Sequence, residues 1–160
     1  MIIDTHTHLD GPEFKDDTQE VVQRAKSAGV SKVFIPAIDL SSIKSINTVC
    51  QQFPDFAYPM MGLHPEEVKA NYKEVLQKMK NELLANSKYI AVGEVGLDFY
   101  WSREFEKEQL EAFEEQVKWS VETRLPLMIH CRKAQNEMVK ILRKYQKQLP
   151  GGVFLSLIHI

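Results

Sequence analysis

The amino-acid sequence predicts an α/β fold of parallel βα units. Two observations carry that expectation. Short apolar runs alternate with amphipathic stretches along the chain. The unusual polar residues His6, His8, His64, Glu94 and His130 fall at the ends of successive apolar runs. In a parallel βα array all those ends share one face, where barrel and doubly wound enzymes both keep their sites.

The elements follow in order. Ile2–Asp4 reads as a short buried strand. A helix over about 17–28 comes next, and Gly29 supplies its stop. Residues 32–36 read as the second strand. The second helix, about 42–53, places Ile43, Ile46, Val49, Cys50 and Phe53 on one face. The third strand is expected over 57–62. The third helix opens at Asn71-Tyr72-Lys73-Glu74 with capping-box spacing and continues through Val75, Leu76, Met79 and Leu83. Residues 89–94 form the fourth expected strand. Leu110, Phe113, Val117 and Val121 repeat at helical spacing within 104–123. The fifth strand, 127–130, precedes a helix over 134–148 that uses Met138, Ile141, Leu142 and Tyr145. A sixth strand is expected over 153–157. No low-complexity segment or interdomain linker interrupts this pattern.

A chain of 160 residues can bury the core of one domain. Hydrophobic residues make up 44% and charged residues 26%, ordinary values for a soluble globular protein. The formal net charge of −2 excludes a global basic field that would draw in nucleic acid. A nucleic-acid substrate would need a local basic patch or bound metals. Cys50 and Cys131 show no CxxC spacing and fit a reducing compartment. No apolar run approaches the roughly 18–20 residues that span a bilayer. The first residues carry Asp4 and Asp10 and lack the basic region of a signal peptide. A cytoplasmic protein without a membrane partner is the expectation.

His6-Thr7-His8 is the first chemical signal. Side chains at i and i+2 of an extended chain point to one face, so both imidazoles can meet one cation. Asp4 and Asp10 flank the pair and suit hydrogen bonds that orient an imidazole. Asp10 equally suits a turn before Gly11-Pro12. In Gly93-Glu94-Val95-Gly96-Leu97-Asp98 a carboxylate beside glycines closes a strand, and its two oxygens can bridge two cations; Asp98 suits bracing the loop. His130 ends a buried strand, followed by Cys131, which suits the core, and Arg132, which suits gripping a phosphate or pairing with a carboxylate. His64 closes another strand before a rigid Pro65. Phe99-Tyr100-Trp101 suits stacking on a base or sugar, or packing over the mouth of the fold. Each segment alone also admits a structural reading: strand-end polar residues, a glycine turn with a surface Glu, a hydrogen-bonded His. Together the histidines and the glutamate on one face point to a metal-dependent hydrolase centre.

The segments Asp4-Thr5-His6-Thr7-His8-Leu9-Asp10, Gly62-Leu63-His64-Pro65, Gly93-Glu94-Val95-Gly96-Leu97-Asp98 and His130-Cys131-Arg132 resemble the ordered motifs of TatD-like deoxyribonucleases, within the amidohydrolase-type metal barrels. The similarity covers about residues 1–154. It implies a (β/α)8 TIM-barrel fold, here incomplete, with about five βα units and the start of a sixth strand. It also implies two divalent metal ions (Mg, Mn or Zn) and hydrolysis of phosphodiester bonds in DNA. By resemblance His6 and His8 would bind one metal, Glu94 would bridge both, and His130 would bind the second. His64 and Arg132 would lie near the substrate phosphate and, with Glu94, form the candidate catalytic set.

The family pattern continues with a His in a Gly-Val-x-His-Cys-Phe-like strand and an Asp in a Glu-Thr-Asp motif. Leu155 stands at the place of that His, the Asp motif is absent, and His159 is out of position. The resemblance therefore implies a C-terminally truncated barrel over 1–154 and a tail, 155–160, unlike the family. Open sheet edges in such a chain imply self-association. Two other readings stand beside the nuclease: an amidohydrolase acting on a C–N or ester bond, and an inactive metal-binding fragment.

Overall fold

The structure, a computed structural model, describes residues 1–155. Six strands alternate with five helices. They are β1 (Ile2–Asp4), α1 (Thr18–Ser27), β2 (Val30–Pro36), α2 (Ser42–Gln52), β3 (Ala57–Met60), α3 (Tyr72–Ala85), β4 (Val92–Asp98), α4 (Glu106–Thr123), β5 (Leu127–Arg132), α5 (Gln135–Tyr145) and β6 (Gly152–Phe154). Short 3-10 turns stand at Pro12–Phe14 and Pro65–Glu67.

All strand pairs are parallel, and neighbours in the sheet are neighbours in sequence. The pairings β1-β2-β3 and β4-β5-β6 are joined by a bridge between Met61 and Val92, where Met61 N donates to Ala91 O (3.1 Å) and Gly93 N to Met61 O (2.9 Å). A doubly wound fold reverses its strand order partway. This one does not, so the α/β architecture is the singly wound, barrel-type arrangement.

Every helix feeds one apolar layer. Val22 of α1, Ile46 of α2, Met79 of α3, Phe113 and Val117 of α4 and Met138 of α5 bury against Val33, Ile35, Val95, Leu97 and Ile129 of the strands. Helical spacing of apolar residues meets the two-residue alternation of the strands, so one sheet face is sealed. A smaller cluster of Met60, Ala91 and Met128, with Phe34, Ile90 and Leu155 packed against it, occupies a second site in the fold. Gly29 ends α1 as expected, with φ of +91° and its N–H on Lys26 O.

Three expectations need correction. β1 is not buried: Ile2 and Ile3 are 53% and 41% exposed, because β1 is an edge strand paired only with β2 among the described residues. The fourth strand starts and ends later than the expected 89–94, so Gly96 and Asp98 also lie inside it, and all seven of its residues are buried. Gly96 stands there because β5 passes so close that a Cβ would lie 1.8 Å from the His130 carbonyl oxygen. The capping box of α3 does not form: Asn71 makes no side-chain cap, and Glu74 pairs with Lys78 one turn on (2.6 Å). The expected sixth strand is described only as far as residue 155, and Ser156–Ile160, including His159, lie outside the described residues. Leu155 extends the ladder, its N–H on Ile129 O at 2.9 Å. No helix among the described residues is long and apolar enough to cross a membrane.

Candidate metal centre

The loops and strand ends after β1 and β3 and within β4 and β5 bring His6, His8, His64, Glu94 and His130 together. The segment holding His6 and His8 is fixed by Thr7 N on Phe34 O (3.1 Å) and by His6 N on Asp4 Oδ1 (3.1 Å). The two rings stand edge to face, 4.8 Å apart. His64 follows β3, with its N–H on Ile38 O (2.9 Å). Its Nδ1 accepts from Glu66 N (3.2 Å) across the 3-10 turn that Pro65 begins. That acceptor role leaves the proton of a neutral ring on Nε2.

Glu94 sits at the middle of the cluster and is 4% exposed. The β4–β5 register shifts between Val92 and Val95, which sets this carboxylate off the regular ladder. Its Oε2 lies 2.8 Å from His6 Nε2. Its Oε1 lies 3.2 Å from His130 Nδ1 and 3.8 Å from His64 Nε2. Ligand atoms of His6, His8 and Glu94 all fall within 4.8 Å of one another, as do those of His64, Glu94 and His130. The two oxygens of one carboxylate thus face two separate groups of imidazoles. Glu66, Asp98 and His130 form a third set with the same spacing.

The electrostatics divide the histidines. Burial opposes the charge on Glu94, but hydrogen bonds with His130 and His6 and the nearby His64 outweigh it and hold the carboxyl well below its usual range. His6 is raised by its bond to Glu94. Burial would lower His130, yet its bonds to Glu94 and Asp98 prevail and raise it. Burial pushes His64 down to about 4, and burial with the neighbouring His6 lowers His8. At neutral pH His8 and His64 are therefore neutral rings; the lone pair of His64 is engaged by Glu66 N. His8 Nδ1 is buried without a hydrogen-bond partner. An orphaned imidazole nitrogen beside a buried, ionised carboxylate and three more imidazoles fits divalent metal ions of the Zn or Mn type.

Other side chains brace these groups. Asp98 accepts from Tyr100 N (2.9 Å) through Oδ1 and places Oδ2 2.8 Å from His130 Nε2, so it holds both the loop and the ring. Asp4 meets the backbone of His6 rather than an imidazole. Asp10 accepts from Ser45 Oγ (2.8 Å), which ties the first loop to α2 and orients no histidine. Cys131 is buried, as its apolar run suggested. Arg132 does not join the cluster; its guanidinium stacks on Tyr100, 3.6 Å from the ring centre.

Sequence reasoning missed Gln109 and Gln116, seven residues apart on α4 and both buried. Gln116 accepts from Leu63 N (2.7 Å) and donates to Leu63 O (3.2 Å). Gln109 does the same for Asp98, at 2.9 and 3.1 Å. Each amide clamps the backbone at or beside a residue of the cluster. The available signal was an uncharged amide on the apolar face of an otherwise regular helix.

The family model for TatD-related DNases matches residues 3–156. The uncharacterised metal-dependent hydrolase YabD of Bacillus subtilis is 33% identical over 153 residues, covering 96% of this chain and 59% of YabD. The 3'-5' ssDNA/RNA exonuclease TatD of Pectobacterium carotovorum is 28% identical over 95% of this chain and 58% of its own length. The crystal structure of YjjV, a TatD homologue from Escherichia coli K12, superposes with a TM-score of 0.83 at 29% identity, over 90% of this chain and 56% of that one. The chain thus spans somewhat under three fifths of the length of these relatives.

Proposed function

The chain belongs to the family of TatD-related DNases, and from that premise we propose that it carries the metal-binding part of a hydrolase that cleaves phosphodiester bonds in single-stranded DNA or RNA. The observation that carries this reading is the split carboxylate of Glu94, with one oxygen toward His6 and the other toward His130 and His64. On this reading residues 1–154 are the N-terminal part of the family barrel.

His6, His8 and Glu94 would hold one divalent cation, and Glu94 with His130 the second. Three imidazole ligands favour Mn or Zn over Mg, which prefers an all-oxygen shell. When bound, such ions supply positive charge that acidifies a water and offsets charge developing on the phosphoryl oxygens. The chain's own groups do the rest. Glu94, ionised and buried, fixes the two sets of imidazoles relative to each other. His64, neutral and with its proton on Nε2, donates a hydrogen bond toward a phosphate oxygen held at the cluster. Arg132 offers a planar donor fork for a neighbouring phosphate.

The test is hydrolysis of a labelled single strand by the purified chain with Mn, Mg or Zn, with and without chelator, beside Glu94→Gln and an acyl-amide control substrate. The expected result is chelator-sensitive cleavage of the strand that Glu94→Gln abolishes. Cleavage indifferent to chelator or to Glu94→Gln, or no cleavage with any of the three metals, would overturn the reading for this chain.

A further inference from the structure

Tyr100 and Trp101 are 49% and 65% exposed, although their side chains are among the largest apolar surfaces in the chain. Their rings stand edge to face, 4.8 Å apart. The Arg132 guanidinium lies 3.6 Å from the Tyr100 ring centre and 5.0 Å from that of Trp101. Among the described residues no carboxylate lies within 4.0 Å of the Arg132 guanidinium, and Glu66 feels its charge only through space. This group is tied directly to the cluster. Tyr100 N donates to Asp98, which meets His130, and Phe99 N donates to Arg132 O at 3.0 Å. Arg132 also follows His130 by two residues on β5, so both side chains leave the same face of the strand.

An exposed aromatic pair beside a guanidinium that makes no salt bridge matches one ligand chemistry: a flat π-surface joined to an anion. We propose that Tyr100, Trp101 and Arg132 form a subsite for one unpaired nucleobase and its phosphate, next to the nucleotide whose ester lies at Glu94. The assignment rests on the phosphodiesterase reading above and adds the side chains that would hold the base beside the cleaved ester. A base stacked within a duplex has no free face for Trp101, so the subsite selects single strands. The sequence ran Phe99-Tyr100-Trp101 together as one aromatic segment. The fold separates it, burying Phe99 at 6% exposure and leaving the other two outside.

The experiment is fluorescence anisotropy with labelled strands, in chelator so that no hydrolysis intervenes. A short oligothymidylate is compared with an abasic strand of the same length and charge. The oligothymidylate is expected to bind roughly tenfold or more tightly, the size of one base–aromatic stack. It should also quench the emission of the exposed Trp101. Trp101→Ala should bring the affinity for oligothymidylate down to that for the abasic strand, while Trp101→Phe keeps most of the preference. Near-ultraviolet circular dichroism of the buried Trp119 reports whether each variant is folded. Equal affinity for the two strands in the unaltered chain, or an undiminished preference in folded Trp101→Ala, would overturn the subsite. Metal-dependent hydrolysis of bis-(p-nitrophenyl) phosphate by the unaltered chain reports on the Glu94 reading separately. If it persists when the base preference is absent, only the subsite falls.

Discussion

Asp98 Oδ2 lies 2.8 Å from His130 Nε2, on the side of the ring away from Glu94. The carboxylate fixes the imidazole orientation and leaves Nδ1 toward the cluster. Carboxylate partners of this kind raise ligand basicity and set ring direction. Asp98→Asn is expected to weaken Mn or Zn binding by roughly 10- to 100-fold. Titration calorimetry measures it, and an unchanged affinity would show that His130 is held by packing alone.

Gln116 satisfies both backbone groups of Leu63 inside the α4–sheet layer. Gln116→Leu keeps the size of the side chain and strands a buried N–H and a buried carbonyl. Each unsatisfied group costs about 1–3 kcal/mol, so unfolding in urea should shift by roughly 2–6 kcal/mol. The variant should also bind metal less well, because Leu63 carries the backbone into His64. A loss below about 0.5 kcal/mol would mean that the loop finds other partners.

The cluster makes stability depend on pH, and metal shifts that dependence upward. In chelator, the raised pKa values of His6 and His130 contribute stability that is complete below about 6.5 and is lost as pH rises through the folded values. The depressed pKa of Glu94 contributes stability that is present above about 4.3 and is lost as pH falls. His8 and His64, held down by burial, work the other way and withdraw stability as pH falls below about 6.5. Thermal melts in chelator should therefore lose the cluster's contribution as pH falls below about 4.3, where the stability from Glu94 is lost as well. Metal must displace the protons on His6 and His130, so its binding releases protons and strengthens toward neutral pH. Melts in Mn should move the optimum upward, and identical profiles with and without metal would contradict this.

The edges of the described sheet are open. β1 and β6 each pair with one neighbour, and Ile2, Ile3, Val153 and Phe154 are 53%, 41%, 46% and 42% exposed. Unpaired strand edges with apolar side chains recruit other strands. The chain is expected to self-associate as concentration rises, and Ile3→Lys with Phe154→Lys should return it toward the monomer. Sedimentation velocity over a concentration series decides this, with a monomer throughout as the contrary result.

The alternation of apolar runs and amphipathic helices is a local property, so the order of the eleven regular elements and most of their limits were readable from the sequence. The convergence of His6, His64, Glu94 and His130 was readable because parallel topology converts strand ends into neighbours. Three things were not. Whether Ile2 and Ile3 are covered depends on what lies beyond an edge, which apolar character does not encode. The place of Gly96 inside β4 depends on how closely β5 passes. The roles of Gln109 and Gln116 depend on which backbone groups the sheet leaves unpaired, a tertiary fact that no helical pattern announces.

Two of the imidazoles, His6 and His8, follow directly on β1, an exposed strand. β1 spans three residues, all exposed, and is held laterally by β2 alone among the described residues. Its docked and detached forms are thus close in free energy compared with the central strands. An ion that takes His6 and His8 together with Glu94 can bind tightly only while β1 is docked. Its apparent affinity is the intrinsic one reduced by the docked fraction. The ion then acts as a clasp between the first strand and the fourth, and amide exchange in β1 becomes a readout of whether the clasp is closed.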